Sequence, residues 1–305
     1  MKIIITGKGG QLAWELEQTT PEGIQVIDFN ALELDITDKN AVHAVLKQHE
    51  PDVVINAAAY TAVDKAETDE LAYKVNRDGS EYLAIASKEL NAKLIHVSTD
   101  FVFDGTKTTP YLVNDIPSPI NAYGDSKLHG DLKISEILGN QATIIRTAWV
   151  YSVNGNNFVK TMLRLMAEKD QLSIVYDQVG TPTWAKGLAK MIWSLVEKQD
   201  KRGKSKEEQV QSLGEAEVLH WTDAGVASWY DFAVAIQELA LDKGMLDKSI
   251  PIRPIPASNY PTPAKRPSFS VIDKATTEEF CGIETIHWRK QLSNMLDELK
   301  IKDKR

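Results

Sequence analysis

The sequence predicts an α/β fold: a doubly wound parallel sheet followed by a smaller C-terminal lobe. Three observations carry that expectation. Short β-branched runs alternate with amphipathic helical stretches as far as Trp149, which implies right-handed crossovers and a sheet covered on both faces. The first such run ends in a glycine-rich turn, Gly7-Lys8-Gly9-Gly10. Beyond Trp149 the rhythm loosens, and six prolines crowd Ile250 to Pro267, a stretch that must be extended and irregular.

Lys2 to Thr6 reads as a buried strand, followed by a helix from Gln11 to Thr19 with Leu12 and Leu16 one turn apart. Ile24 to Asp28 is a second strand, and a short strand is expected to end at Asp35-Ile36. Thr37 and Asp38 suit the cap of a helix that turns Val42, Val45 and Leu46 inward and stops at Pro51. Val53 to Ile55 is again a strand. Glu67 to Leu90 has the pattern of one long helix, with Leu71, Val75, Tyr82, Leu83 and Ile85 apolar. Leu94 to Ser98 is a strand, Tyr123 to Leu138 a helix, and Thr143 to Thr147 a strand. In the second half, Phe158 to Glu168, Ala185 to Lys198, Trp229 to Leu241 and His287 to Leu299 read as helices. The basic run Lys198 to Lys206 reads as a solvated loop, having neither aromatic partners nor periodicity. These patterns place one domain at residues 1–150, with segments of 151–200 packed on it, and a smaller lobe at 151–305.

At 305 residues, with 43% hydrophobic and 26% charged residues, the composition is that of an ordinary globular protein. A formal net charge of −8 offers no electrostatic footprint for nucleic acid or an anionic membrane. The single cysteine, Cys281, forbids an internal disulfide and reads as a small buried residue. The six histidines show no metal-ligand spacing, and no apolar run is as long as a membrane span. The first strand begins at Lys2, so no secretory leader is expected. A soluble, cytoplasmic protein is the expectation.

Gly7, Gly10 and Ala13 fit a Gly-x-x-Gly-x-x-Gly/Ala spacing at the first strand–helix junction. Glycines there permit a tight turn and let backbone N–H groups reach a pyrophosphate, with a helix N-terminus behind them. A glycine triplet alone is weak evidence; at this junction it is strong. Asp28 ends the second strand, where an acidic residue binds adenosine ribose hydroxyls. A plain turn residue is an equal reading. Such a carboxylate favours NADH, while Lys8 offsets its charge and leaves NADPH open. Asn56-Ala57-Ala58-Ala59-Tyr60-Thr61 supplies small residues that let a cofactor lie on the carboxyl edge of the sheet, or that pack a helix closely against it.

Tyr123 and Lys127 stand four apart at a helix start and share one face. A cation within reach lowers a phenol's pKa by about 1–3 units from about 10, toward the range where acid catalysis works. On a wet helix the same spacing occurs by chance. Ser98-Thr99-Asp100 closes the preceding strand on the same edge and completes a hydroxyl–phenol–ammonium set. That set suits hydride transfer to a ketone: Tyr123 protonates the oxygen, Thr99 polarises the carbonyl, and Lys127 tunes the phenol and holds the nicotinamide ribose.

Along nearly its whole length the chain resembles the extended short-chain dehydrogenase/reductase superfamily, and within it the dTDP-4-dehydrorhamnose reductase family. The resemblance rests on Gly7 to Leu12, Asn56 to Glu67, Ser98 to Phe103, Tyr123 to Lys127, Arg146 to Tyr151, Gly155 to Phe158, Asp177 to Thr183 and Tyr260 to Pro267. It implies a Rossmann-like cofactor domain and NADPH- or NADH-dependent reduction of the 4-keto group of dTDP-4-dehydro-L-rhamnose. Tyr123 is then the proton donor, with Lys127 and Thr99 as partners. Gly10, Gln11, Leu12, Asp28, Asp35, Ile36, Ala59, Tyr60 and Thr61 match cofactor positions, and Val63, Thr99, Asp100 and Trp149 match substrate positions. Some members bind Mg²⁺ through glutamates at a dimer interface; Glu15 matches one such position, and a homodimer is expected on the same footing. Segment Leu213 to Gly244 follows the family loosely, so another nucleotide-linked 4-keto-6-deoxy sugar remains an alternative substrate. A non-catalytic regulatory subunit and an epimerase or dehydratase of this fold are further alternatives. From the residues alone, Arg266, in a proline-stiffened segment, suits either a bidentate grip on a nucleotide-sugar diphosphate or a surface ion pair.

Overall fold

A computed structural model describes residues 1–202 and 215–302, with 199–202 as backbone only. The first half runs β1 (Lys2–Thr6), α1 (Gln11–Gln18), β2 (Gln25–Phe29), α2 (Lys39–His49), β3 (Val53–Asn56), the short α3 (Val63–Ala66) and α4 (Leu71–Tyr73), and a π-helical turn at Lys74–Gly79. It continues through α5 (Ser80–Glu89), β4 (Lys93–Thr99), a 3-10 turn at Asp100–Val102, α6 (Ala122–Leu138) and β5 (Ala142–Thr147). The second half contains β6 (Val150–Tyr151), α7 (Phe158–Glu168), β7 (Leu172–Val175), β8 (Val179–Gly180), β9 (Thr183–Trp184), α8 (Ala185–Arg202) and β10 (Glu217–His220). After these come β11 (Ala227–Ser228), α9 (Trp229–Asp242), β12 (Ile252–Ile255), α10 (Ala275–Cys281) and α11 (Trp288–Lys302).

The main sheet has the order β10-β5-β4-β3-β1-β2, and every neighbouring pair is parallel. It is a doubly wound, Rossmann-like sheet. Alternation along each strand assigns its side chains to two layers. Ile3 and Ile5 pack with Leu16 of α1 and with Leu188, Ile192 and Leu195 of α8. Ile4, between them, packs with Val42, Leu46, Leu83 and Ile134 from α2, α5 and α6. Chain order reverses at β1, which has β2 on one side and β3 on the other. At that reversal, beyond the carboxyl ends, connections diverge and a crevice opens. A second apolar cluster joins α7, α9 and α11, including Val159, Phe232, Ile236 and Leu292.

The structure departs from the sequence pattern in several places. The strand expected to end at Asp35-Ile36 is a pair of turns. The Asn30 side chain accepts the N–H groups of Leu32 and Glu33, and the Asp35 side chain accepts the N–H and the hydroxyl of Thr37. Side chains that take backbone donors in this way compete with sheet formation. The helix expected over Glu67 to Leu90 is present and unbroken from Leu71 to Glu89, with a π-helical register at Lys74–Gly79, and Leu71 is exposed. Strand β10, which carries no alternation signal, completes the main sheet beside β5. Helix α8 continues to Arg202, so the start of the basic run is helical rather than loop; the rest of that run lies outside the described residues. Cys281 is buried. No helix among the described residues is long and apolar enough to cross a membrane.

Candidate functional site

A cleft of about 830 Å³ opens at the carboxyl edge of the sheet and reaches Trp229 and Arg266. The glycine loop forms one end. Gly7 has a φ of +84°, and a Cβ there would sit 2.8 Å from backbone atoms of Ala57 and Ala58; only glycine satisfies both constraints. Gly10 donates to the Gly7 carbonyl at 3.0 Å and is the N-cap of α1 without a side-chain cap. The first-turn N–H groups of α1 therefore face the cleft with the helix's partial positive charge. This backbone cradle fits a dinucleotide's phosphates. Gln11 and Leu12 extend its wall, and Asp35, Ile36, Ala59, Tyr60 and Thr61 also line the cleft.

Asp28 lies just outside the lining, with its carboxylate 3.1 Å from Lys8 Nζ. That hydrogen bond and charge raise the Lys8 pKa. Tyr60 is held by its backbone: Asn76, in the π-helical turn, accepts from Tyr60 N–H at 2.9 Å and donates to Tyr60 C=O at 3.1 Å. The Tyr60 hydroxyl donates to Asp69 at 2.8 Å.

The other end is made of side chains. Asn121 caps α6 by accepting from Gly124 N–H at 2.8 Å. A Cβ on Gly124 would lie 2.2 Å from the Phe101 carbonyl oxygen, so glycine lets the helix start press against the segment leaving β4. Tyr123 thereby comes beside Thr99, whose hydroxyl favours the ionised phenol and itself donates to Asp100 at 3.1 Å. Burial pushes the Tyr123 phenol up to about 12; Thr99 pulls it down, while Asp100 and Asp131 push it further up. This reverses the lowered phenol expected from the Tyr123–Lys127 spacing. Lys127 Nζ instead donates to Val97 C=O at 2.7 Å and meets His96 Nε2 at 3.1 Å. Its pKa falls to about 8 by burial, against the pull of Asp131. Burial also raises Asp100 to about 6.

Val63, Asp100 and Trp149 line the remaining wall. Trp149 has a φ of +47°, an uncommon left-handed backbone for a bulky residue. Its ring stacks on Trp229 with centroids 3.5 Å apart and planes 7° apart, and Phe158 supports Trp229 at 4.7 Å. Arg266 lines the cleft but is already forked onto Asp64, Nη1 to Oδ1 at 3.0 Å and Nη2 to Oδ2 at 2.9 Å. The ion pair and the cleft position thus coexist.

Glu15 is the residue that the resemblance matches to a metal position. It is buried within the chain, accepting from Ser152 at 2.7 Å and Trp184 Nε1 at 3.1 Å, and burial raises its pKa. Among the described residues, no group of three or more His, Cys, Asp or Glu side chains could hold a metal ion.

The sequence reading passed over His96, Asp131, Arg146 and Trp229. His96 interrupts an apolar strand with a polar side chain pointing inward, and that was the available signal. Asp131, one turn beyond Lys127 on α6, accepts from Ser98 at 2.7 Å.

The family model described as RmlD substrate binding domain matches residues 1–301. A dTDP-4-dehydrorhamnose reductase from Burkholderia thailandensis is 41% identical over 292 residues, covering 95% of this chain and 96% of that protein. The crystal structure of a dTDP-4-dehydrorhamnose reductase from Clostridium acetobutylicum ATCC 824 is similar with a TM-score of 0.88 and 37% identity, over 98% of this chain and 100% of that one. The one from Bacillus anthracis str. Ames, solved in complex with NADP, gives 0.86 and 34%, over 97% and 99%. On a match that spans the described fold and the cleft alike, the chain belongs to the dTDP-4-dehydrorhamnose reductase family.

Proposed function

We propose that this protein reduces the 4-keto group of dTDP-4-dehydro-L-rhamnose to give dTDP-L-rhamnose, using NADPH or NADH in the cytoplasm. The observation that carries the reading is the Thr99–Tyr123 contact, with Lys127 one turn along the same helix, in the cleft that begins at the glycine loop. The nicotinamide, when bound, supplies the hydride. Thr99 and Tyr123 orient the ketone oxygen, and Tyr123 gives it a proton. A phenol held at about 12 keeps its proton at neutral pH, which is the form an acid needs before the transition state. Lys127 steadies the phenolate left behind and holds the cofactor ribose.

Gly7, Gly10, Gln11 and Leu12 take the pyrophosphate, while Asp35, Ile36, Ala59, Tyr60 and Thr61 border the nucleoside. Asp28 reaches the ribose only if Lys8 leaves it, and a Lys8 so released would meet a 2′-phosphate. Both nicotinamides therefore remain within the reading. Val63, Asp100 and Trp149 border the sugar, and Arg266 can offer its fork to the diphosphate once Asp64 yields it. The relative solved with NADP supports the cofactor class. The test is loss of absorbance from NADPH and from NADH when purified protein meets dTDP-4-dehydro-L-rhamnose. Stoichiometric oxidation with formation of dTDP-L-rhamnose is expected; no oxidation of either cofactor would refute the proposal.

A further inference from the structure

Beneath the cleft a line of buried polar groups runs from β1 to α6. Thr6 Oγ1 donates to Asn56 Oδ1 at 2.7 Å, and Ala58 N–H donates to the same oxygen at 3.2 Å. A backbone N–H can only donate, so the Asn56 atom facing it is the oxygen and the other end of the amide is the NH₂. That NH₂ lies 3.0 Å from His96 Nδ1. Nδ1 must accept, and therefore carries no proton. His96 is fully buried, and burial lowers its pKa well below the usual value. A neutral imidazole with a bare Nδ1 has its proton on Nε2.

The nearest partner of Nε2 is Lys127 Nζ at 3.1 Å; Asp131 Oδ1 is farther, at 3.6 Å. An ammonium has three protons and no lone pair, so it would set donor against donor. A neutral amine has two protons and one lone pair. It can donate to Val97 C=O at 2.7 Å and accept from His96. We infer that His96 is a positioning residue for Lys127: its tautomer, fixed by Asn56, donates Nε2–H to the amine and stabilises the neutral form of the lysine.

The lowered Lys127 pKa, near 8, agrees with this geometry. The charged and titratable groups around the pair come from several elements. Asp131 and Tyr123 are on α6 and Asp100 follows β4. Arg146 is on β5, 3.9 Å from Asp131. His220, opposite Arg146 on β10, is held neutral by burial, down to about 3. Strands β1 and β3 contribute only the neutral Thr6 and Asn56 to the line. Asp131 favours the ammonium and burial the amine; the Nε2–H of His96 acts on the side of the amine. The consequence for turnover rests on the proposed role of Lys127 beside Tyr123; the tautomer itself does not.

The test uses the full chain without cofactor, with ¹⁵N-labelled histidine and ¹³C-labelled lysine. The long-range proton–nitrogen spectrum of His96 is expected to show a protonated Nε2 and a bare Nδ1 from pH 6 to 9. A protonated Nδ1 or an imidazolium overturns the inference, and this measurement needs no variant. Asn56→Asp, which replaces the donor by an acceptor, is expected to move the proton to Nδ1. His96→Leu removes the donor without changing charge, and the Lys127 ε-carbon titration is expected to rise by about one pH unit. The alkaline limb of kcat/KM for NADPH, which reports the free enzyme, should rise with it. A purely structural role for His96 would leave that midpoint unchanged or lower it, and either result overturns the inference. Failure of the nucleotide-sugar assay would refute the proposed reaction while leaving the ring spectrum to decide on His96.

Discussion

Between β1 and α1 the cleft wall is backbone: glycine N–H groups, the uncapped start of a helix, and an ion pair, Lys8 with Asp28, at its rim. At the carboxyl end of β4 the wall is side chain: Thr99, Tyr123 and Lys127, with His96, Asp131 and Arg146 buried behind them. The first end is shaped by what is missing, since a Cβ on Gly7 would strike Ala57. The second is shaped by which polar atoms share a proton. A backbone site tolerates change in neighbouring side chains but not in its glycines. A buried polar site depends on every partner, because low dielectric strengthens made bonds and penalises unmade ones.

The contrast can be broken most sharply at Tyr123. In the proposed role, Tyr123→Phe lowers turnover by about 10²–10⁴ while cofactor affinity stays within a few-fold. Turnover near the parent value in a stopped assay would remove the phenol from the chemistry. At the opposite end, Gly7→Ala forces a side chain into a left-handed backbone and against Ala57. It should cost roughly 1–3 kcal/mol of folding stability and weaken dinucleotide binding about tenfold or more. A melting curve and a cofactor titration that both match the parent would mean the loop is not the rigid cradle described. The smallest effect is expected at the rim. Lys8 is exposed and its ion pair is screened by salt, so Lys8→Ala should change NADH affinity by less than about threefold. The measurement is a fluorescence titration at two ionic strengths; a large, salt-insensitive loss would show that the rim belongs with the buried end.

These two ends also differed in how far they could be read from the chain. The glycine loop was legible because its spacing and its place after Lys2 to Thr6 are both local. The strands Val53 to Ile55 and Leu94 to Ser98 were legible from β-branched runs, and the α6 start from the Tyr123–Lys127 face. What failed was non-local. The Lys127 amine meets His96, 31 positions earlier, and no spacing rule links them. The raised Tyr123 phenol follows from burial, which periodicity on one helix does not measure. Strand β10 is only four residues long and is stabilised by pairing with β5 rather than by its own pattern. The missing strand at Asp35-Ile36 lost to side chains of Asn30 and Asp35 that claim backbone donors. The π-helical register inside the helix between Glu67 and Leu90, which places Asn76 on the Tyr60 backbone, has no counterpart in the apolar pattern.

The indole pair Trp149–Trp229 carries an optical consequence. Two chromophores lying nearly coplanar in projection at 3.5 Å couple their electronic transitions, so they absorb and rotate polarised light as a unit. Both rings border the cleft, and the absence of a Cβ on Gly180 leaves room for the Trp149 ring. The protein's near-ultraviolet circular dichroism thus contains a native reporter at the cleft wall, readable without a label.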